Sequence, residues 1–176
     1  MPNIFSKFTT HYQHTLTRAL ELAARAGRNV LEPQDLILAL SAERGSLSSE
    51  ILEKHGLTPL KLHESLGVPT AILPDAAASA PMELEVALVR EHLSESTRHL
   101  VERSVVTAWR HQHHYVGTEH LLHALAVSEA PDVAALWGQL NVDVVRLRTN
   151  ISNVLKSTSK FPDLTEAFAA TEEEPG

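Results

Sequence analysis

The chain has 176 residues, of which 43% are hydrophobic and 21% are charged, a balance typical of a globular protein and unlike a disordered chain. Its net charge of −7 argues against nucleic-acid binding, because contacts to phosphates require clustered Lys and Arg. Cysteine is absent, which excludes disulfide bonds, thiolate metal sites and a cysteine nucleophile.

Two observations bear on the cellular location. No apolar run approaches the roughly 20 residues that a bilayer-spanning helix needs. The first residues also lack the basic region and apolar stretch of a secretory signal. We therefore expect a cytoplasmic protein with no membrane association.

Residues 8–67 contain four segments with apolar residues at helical spacing, separated by short polar turns. Gly, Ser, Thr and Pro stand at the positions where they commonly start or stop helices. The predicted helices are residues 10–26, residues 33 to about 43, a third from Ser48 or Ser49 to Gly56, and a fourth from Thr58 to Gly67.

Residues 68–81 contain three prolines and little periodicity, which is typical of a linker. Residues 82–92 regain helix-forming side chains, so a short extra helix is predicted there, before the second half begins. The linker as a whole is residues 68–92.

Four further helices are predicted in the second half of the chain. The predicted helices are residues 95–111, 119–128, 133–139 and a last one that begins after Asp143 and runs through Leu155. Thr118 is the expected cap of the second of these helices, and Glu119 follows in its first turn, where the helix dipole favours an acid. Residues 157–176 are rich in Ser, Thr, Glu and Pro, and we expect them to be disordered.

The two halves share one apolar register. Sliding the chain by 85 residues aligns residues 8–67 with 93–152 without a gap. Apolar residues coincide in every helix of the two halves, for example Leu36 with Leu121 and Leu62 with Leu147. Two copies of one helical unit are therefore predicted.

Three motifs resemble the N-terminal double-repeat domain of Clp-family protein unfoldases. They are Phe5-x-x-Phe8-Thr9, the stretch from Tyr115 to Leu122 that contains Gly-Thr-Glu-His-Leu-Leu, and Leu140-Asn141-Val142-Asp143. In the first copy, Glu32-Pro33-Gln34-Asp35 stands where the family usually has Gly-Thr-Glu-His.

This resemblance implies an all-α fold in residues 1–156, with two four-helix repeats related by a pseudo-two-fold axis. Repeat one is residues 8–67 and repeat two is residues 93–156. The implied function is non-catalytic recognition of substrate or adaptor proteins, which are delivered to a Clp-type ATPase and its protease. No cofactor is implied.

The resemblance also suggests which residues bind. In some family members the signature glutamate holds a guanidinium, while nearby hydroxyl and N–H groups hold a phosphate on the same arginine. Carried over, the second copy offers Glu119 with Ser94 and Arg98, and the first offers Thr9 with Gln34 in place of the glutamate. The alternative for Glu119 is a helix-terminal acid that stabilises by about 0.3 to 1 kcal/mol.

Enzymatic chemistry finds no support in the sequence. No glycine is followed by the Lys-Ser or Lys-Thr of a phosphate-binding loop, and no Gly-x-Ser-x-Gly elbow occurs. Five histidines between His111 and His123 leave a metal-binding helical protein as an alternative from another class. A free-standing adaptor or decoy, and a scaffold unrelated to proteolysis, also stay open. Trp109 and Trp137 are expected to pack in the interior.

Overall fold

The computed structural model describes residues 4–68 and 92–160, and within them it contains eight α-helices and no strand longer than an isolated bridge. A short 3₁₀ helix, Ile4–Lys7, precedes the first repeat. The helices of repeat one are α1 (Thr10–Arg25), α2 (Pro33–Ala42), α3 (Leu47–Lys54) and α4 (Pro59–Leu66). Those of repeat two are α5 (Glu95–Arg110), α6 (Thr118–Val127), α7 (Pro131–Leu140) and α8 (Val144–Lys160).

Most predicted helix ends are confirmed by the side chains that cap them. Thr9, Ser94 and Thr58 each accept a backbone N–H from the first turn of the helix that follows. Asp143 caps α8 in the same way, through the N–H of Arg146. The cap of α3 is Ser46, not Ser48 or Ser49, and its hydroxyl accepts the N–H of Ser49.

Other expectations were wrong or fall outside the described residues. Helix α8 continues to Lys160, so disorder from residue 157 is wrong for the first four residues of that stretch. Residues 161–176 and residues 69–91 lie outside the described residues, so they include all but the ends of the linker predicted over 68–92 and all but His92 of the extra helix predicted over 82–92. No helix in the described part of the chain combines the length and apolar character needed to cross a bilayer.

The core is centred on α2 and α6, which contact each other. Leu36, Ile37 and Leu40 of α2 are fully buried, and so are their counterparts 85 residues later, Leu121, Leu122 and Leu125. Their burial confirms the repeat register, since the same positions face inward in both copies. Helices that are apolar on nearly every side belong in the middle of a bundle, and the other helices surround this pair.

Two short parallel bridges show the pseudo-two-fold axis directly. Phe8 pairs with Val116, and Leu31 pairs with Leu93. Leu93 is the counterpart of Phe8 and Leu31 is the counterpart of Val116 in the 85-residue register, so the two bridges are equivalent under exchange of the repeats. The fold is therefore all-α with two related four-helix repeats, as the sequence predicted, and each repeat contributes the same surface to their interface.

The backbone repeats as well. Gly27 and Gln112 end equivalent helices with positive φ values of 79° and 58°, and Gly56 and Asn141 do so with 76° and 52°. Left-handed backbone ends a helix by turning the chain away from it. The second copy makes the same turns without glycine.

A buried hydrogen bond links the repeats and gives a stability prediction. The Tyr12 hydroxyl lies 2.7 Å from Ser104 Oγ, which itself donates to the Val101 carbonyl, so Tyr12 is the donor. Burial raises the pKa of Tyr12, and the phenol stays protonated. Tyr12→Phe should cost about 0.5–1.5 kcal/mol of unfolding free energy, whereas Ser104→Ala should cost about 1–3 kcal/mol because it leaves a buried donor without an acceptor.

Urea unfolding of the two single variants and the double variant measures this difference. The double variant should be no less stable than Ser104→Ala alone, since its unpaired hydroxyl is gone. Strictly additive losses would show that the two hydroxyls do not interact.

Candidate functional site

The signature turn of repeat two lies against the start of α1 in repeat one. The Thr9 N–H donates to the Val116 carbonyl at 3.0 Å, and the Val116 N–H donates to the Lys7 carbonyl at 2.8 Å. Glu119 follows three residues after Val116, so its side chain is beside the N-terminus of α1. The turn that carries Glu119 thus lies next to the start of α1, where Thr9 is the cap.

The Glu119 carboxylate folds back over Gly117. A Cβ at residue 117 would lie only 1.8 Å from Glu119 Oε1 and 2.8 Å from its Cδ. The backbone of Gly117, with φ −105° and ψ 175°, is open to any residue, and Glu32 adopts nearly the same angles at the equivalent position. Glycine is therefore needed here for the position of the carboxylate and not for the turn.

The surroundings of the Glu119 carboxylate disfavour its negative charge, because the side chain is mostly buried. The Glu119 side chain is only 13% exposed, and burial raises its pKa, although the N–H groups of Glu119 and His120 and the charge of His11 oppose the shift. An acid that is mostly buried, close to a helix N-terminus and without a salt bridge to Lys or Arg among the described residues is suited to binding a cation.

The equivalent place in repeat one has different chemistry. Ser94 donates its N–H to the Leu31 carbonyl at 3.1 Å, so the turn that carries Gln34 lies next to the start of α5. Arg98 lies one turn further along α5, where its Nε is 3.9 Å from Glu102 Oε1. Gln34 is neutral, so this copy lacks the carboxylate that would pair with a guanidinium.

The grouping of site residues predicted from the sequence is thus corrected. The five residues were divided by copy, with Glu119 assigned to Ser94 and Arg98, and Thr9 assigned to Gln34. The structure exchanges the partners: the copies interlock at both bridges, so each signature turn faces the helix start of the other repeat.

The prediction that Thr118 caps α6 was also wrong. Thr118 is the first residue of the helix, and it is His120 Nδ1 that accepts the Gly117 N–H at 2.8 Å. Since this nitrogen accepts, the proton of His120 is on Nε2, which lies 2.6 Å from His113 Nδ1. Burial, followed by the nearby His113 and His111, lowers the pKa of His120 to about 3, so the ring stays neutral.

Repeat one builds the same cap from charged groups. Asp35 Oδ2 accepts the Glu32 N–H at 2.9 Å, and Arg28 forms two hydrogen bonds of 2.7 Å to the Asp35 carboxylate. Arg28 and Asp35 are the counterparts of His113 and His120. The signature histidine is therefore a structural cap that orients the turn carrying Glu119.

His11 belongs to this site, although sequence analysis did not identify it. Its Nδ1 lies 3.0 Å from Glu43 Oε1, and its charge also acts on Glu119, so it stands near two acids. The only sequence signal was its place in the first turn of α1, two residues after Thr9.

Two further expectations concern the tryptophans and the histidines. Trp137 is buried, as predicted, and it donates to the Leu125 carbonyl, but Trp109 is 80% exposed and the expectation that it packs inside was wrong. Among the described residues, no group of three or more His, Asp or Glu is arranged to hold a metal ion.

Comparisons with known proteins agree with this fold. The profile of the Clp repeat (R) N-terminal domain family matches residues 7–89 and 92–172. The ATP-binding subunit ClpA homolog of an ATP-dependent Clp protease in Cyanidium caldarium is 28% identical over 90% of this chain and 17% of its own length. ClpC/MecB of Bacillus subtilis, a negative regulator of genetic competence, is 26% identical over 88% of this chain and 18% of its own length.

Solved structures show the same architecture. The N-terminal domain of the chaperone ClpD from Arabidopsis thaliana superposes with a TM-score of 0.66 at 19% identity, covering 88% of this chain and 98% of that domain. The Hsp104 N-terminal domain from Candida albicans gives 0.63 at 16% identity, covering 89% and 95%. The chain spans less than a fifth of the length of the curated relatives above, and its match is to their non-catalytic N-terminal repeat domain.

The raised pKa of Glu119 predicts a stability cost. Because the folded-state pKa lies above the unfolded one, ionisation opposes folding at neutral pH and has no effect below about pH 4, where both states are protonated. Glu119→Gln should therefore raise the melting temperature at pH 7, and its advantage should fade towards pH 4. Thermal unfolding at pH 7, 5.5 and 4 measures it. A gain for Glu119→Gln that grows as the pH falls would contradict this assignment.

The two capping pairs predict an exchange between repeats. His120→Ala removes the acceptor of the Gly117 N–H and should cost about 1–2 kcal/mol. Replacing both residues, His113→Arg with His120→Asp, copies the Arg28–Asp35 pair and should come within about 1 kcal/mol of the wild type. Chemical denaturation at pH 7 compares the variants. A double variant as unstable as His120→Ala would show that the copies are not interchangeable.

Proposed function

Because the chain belongs to the Clp repeat N-terminal domain family, we propose that it is a recognition module that binds substrate or adaptor proteins for a Clp-type ATPase and its protease. Within this role, the site formed by Glu119 and Thr9 receives a phosphorylated arginine side chain. The position of the Glu119 carboxylate, beside the helix start of the other repeat, is the observation that carries the proposal.

The cationic half of the ligand has one suitable partner. A guanidinium can form two charge-assisted hydrogen bonds to the Glu119 carboxylate, and pairing would offset the burial that now penalises this acid. Gln34 at the equivalent place is neutral and offers no charge to pair with a second guanidinium. One ligand per chain is therefore expected.

The anionic half lies at the start of α1. This helix has 16 residues, and its first-turn N–H groups and dipole favour an anion. Thr9 Oγ1 accepts the Tyr12 N–H, which leaves the hydroxyl proton available to donate to a phosphate oxygen. His11, two residues later, adds a donor that can carry positive charge.

Isothermal titration with a peptide that carries one phosphoarginine tests this assignment. We expect one site, and at least tenfold weaker binding of the same peptide with unmodified arginine or with phosphoserine. Glu119→Gln should weaken binding at least tenfold, since a charge-assisted pair is lost. Gly117→Ala should do the same while the protein stays folded, because it displaces a carboxylate whose side chain is free to move.

Repeat one supplies matched controls. Glu32→Ala stands at the position of Gly117 and Gln34→Ala at that of Glu119, and both should leave the affinity within twofold. Equal binding by wild type and Glu119→Gln would remove the signature glutamate as the recognition residue. No binding of the peptide, together with Glu119-dependent capture of partner proteins, would keep the recognition role and reject phosphoarginine.

A further inference from the structure

A buried acid in repeat one has no counterpart in repeat two. Glu43, at the end of α2, is 6% exposed and accepts a hydrogen bond from Arg18 at 2.8 Å. His11 and His14 of α1 approach the same carboxylate at 3.0 and 3.5 Å. This carboxylate therefore ties the end of α2 to the middle of α1.

Repeat two keeps the arginine and loses the acid. Arg103 is the counterpart of Arg18 and His99 that of His14, but Ser128 replaces Glu43. Arg18 is buried and forms a salt bridge to Glu43. Arg103, by contrast, is exposed and has no ion pair or hydrogen bond within the described residues. Nothing on this chain fills the place of the missing carboxylate in the part that the structure describes.

An open groove occupies that place. It has a volume of about 670 Å³ and lies between α5 and the turn after α6, with Arg103 and Ser128 in its lining. Arg110, His99, His111 and His123 line it as well. His123 Nδ1 is buried without a hydrogen-bond partner. Burial, then the neighbouring His111, Arg103 and Arg148, lowers the pKa of His123, which places these positive groups close together.

Two acids also line the groove, Glu102 and Glu129, and they do not occupy the missing position. Glu102 is largely exposed, and its Oε1 lies 3.9 Å from Arg98 Nε, so its ion pair is with Arg98 and not with Arg103. Glu129 is exposed and aligns with Arg44, not with Glu43. Among the described residues, neither acid forms an ion pair with Arg103.

Apolar surface continues from the groove along α5. Val106 lines it, and Trp109 stands three residues further on, where helical spacing puts it on nearly the same face. Both side chains are exposed, Trp109 to 80%. An exposed tryptophan next to an arginine is a common centre of protein binding sites.

We propose that this groove binds an acidic segment of a partner protein, with one Asp or Glu carboxylate placed between Arg103 and His123 where Glu43 lies in repeat one. An apolar neighbour of that carboxylate packs on Val106 and Trp109. This site is separate from the Glu119 site and does not depend on phosphoarginine binding.

A short peptide of alternating Leu and Glu serves as the probe, titrated into the full chain while tryptophan fluorescence is followed, because Trp109 is exposed and Trp137 is buried. The matched Leu-Gln peptide should bind at least tenfold more weakly. Arg103→Ala should weaken binding of the Leu-Glu peptide at least fivefold. Arg146→Ala removes the same charge from an exposed site on α8 and should stay within twofold. Equal losses for the two arginine variants would reduce the binding to general charge attraction and overturn the proposal.

The Ser128→Glu variant tests the proposed position of the partner's carboxylate, because it puts a carboxylate of the chain itself at the position that Glu43 has in repeat one. It should abolish peptide binding by pairing with Arg103, while Ser128→Gln, of similar size and no charge, should retain it. Because Ser128→Glu adds an acid to a folded surface, circular dichroism can check that the fold is kept. Binding by Ser128→Glu as tight as that of the wild type would contradict the proposed location.

The chain's own acidic residues Glu172, Glu173 and Glu174 are the competing source of a carboxylate. Replacing all three with Gln in the full chain should leave the affinity for the probe unchanged. An affinity that rises more than fivefold would show that the chain fills its own groove, and the assignment to a partner protein would then be wrong.

Discussion

The two bridges between the repeats, Phe8 with Val116 and Leu31 with Leu93, are the constraint on which the site depends. Each is only a residue long, but each ties the turn before one central helix to the start of the outer helix of the other repeat. Because both ends of a bridge are fixed by backbone hydrogen bonds of 2.8–3.1 Å, the side chains that follow inherit their positions. The turn that carries Glu119 lies next to the start of α1 for this reason, and the turn that carries Gln34 lies next to the start of α5.

What could be predicted from the sequence is what short-range physics determines. Helical spacing, caps and helix-ending residues predicted the eight helices, and the 85-residue register predicted two copies of one unit; the pseudo-two-fold relation came from the family resemblance. The partner of each site residue was out of reach, because interlocked and separate copies have the same apolar pattern. Trp109 shows the same limit: periodicity says which residues share a helix face, but not where the neighbouring helix ends.

The cap of α6 was missed for a different reason. Threonine before a helix is a common cap, and a histidine accepting the N–H of the residue three positions earlier has no familiar sequence signal. Comparing the copies would have revealed it, since Asp35 stands where His120 does and aspartate can accept a backbone N–H in that position. Duplication thus supplies a control within the same chain, in which one geometry is built by two sets of side chains.

That internal control also shows how the copies differ in role. In repeat one the charged groups at the equivalent places satisfy each other, Arg28 with Asp35 and Arg18 with Glu43. In repeat two the corresponding pairs are His113 with His120 and an arginine beside a serine, while the Glu119 carboxylate is held over a glycine in a mostly buried place. Uncompensated charge lowers stability, and a ligand of opposite charge restores what is lost. Repeat two can tolerate unpaired charges because the charges of repeat one are paired and because the two repeats share the core formed by α2 and α6. The two binding sites proposed above both use such charges, so under these proposals the partner chemistry is concentrated in repeat two and at its contact with the start of α1.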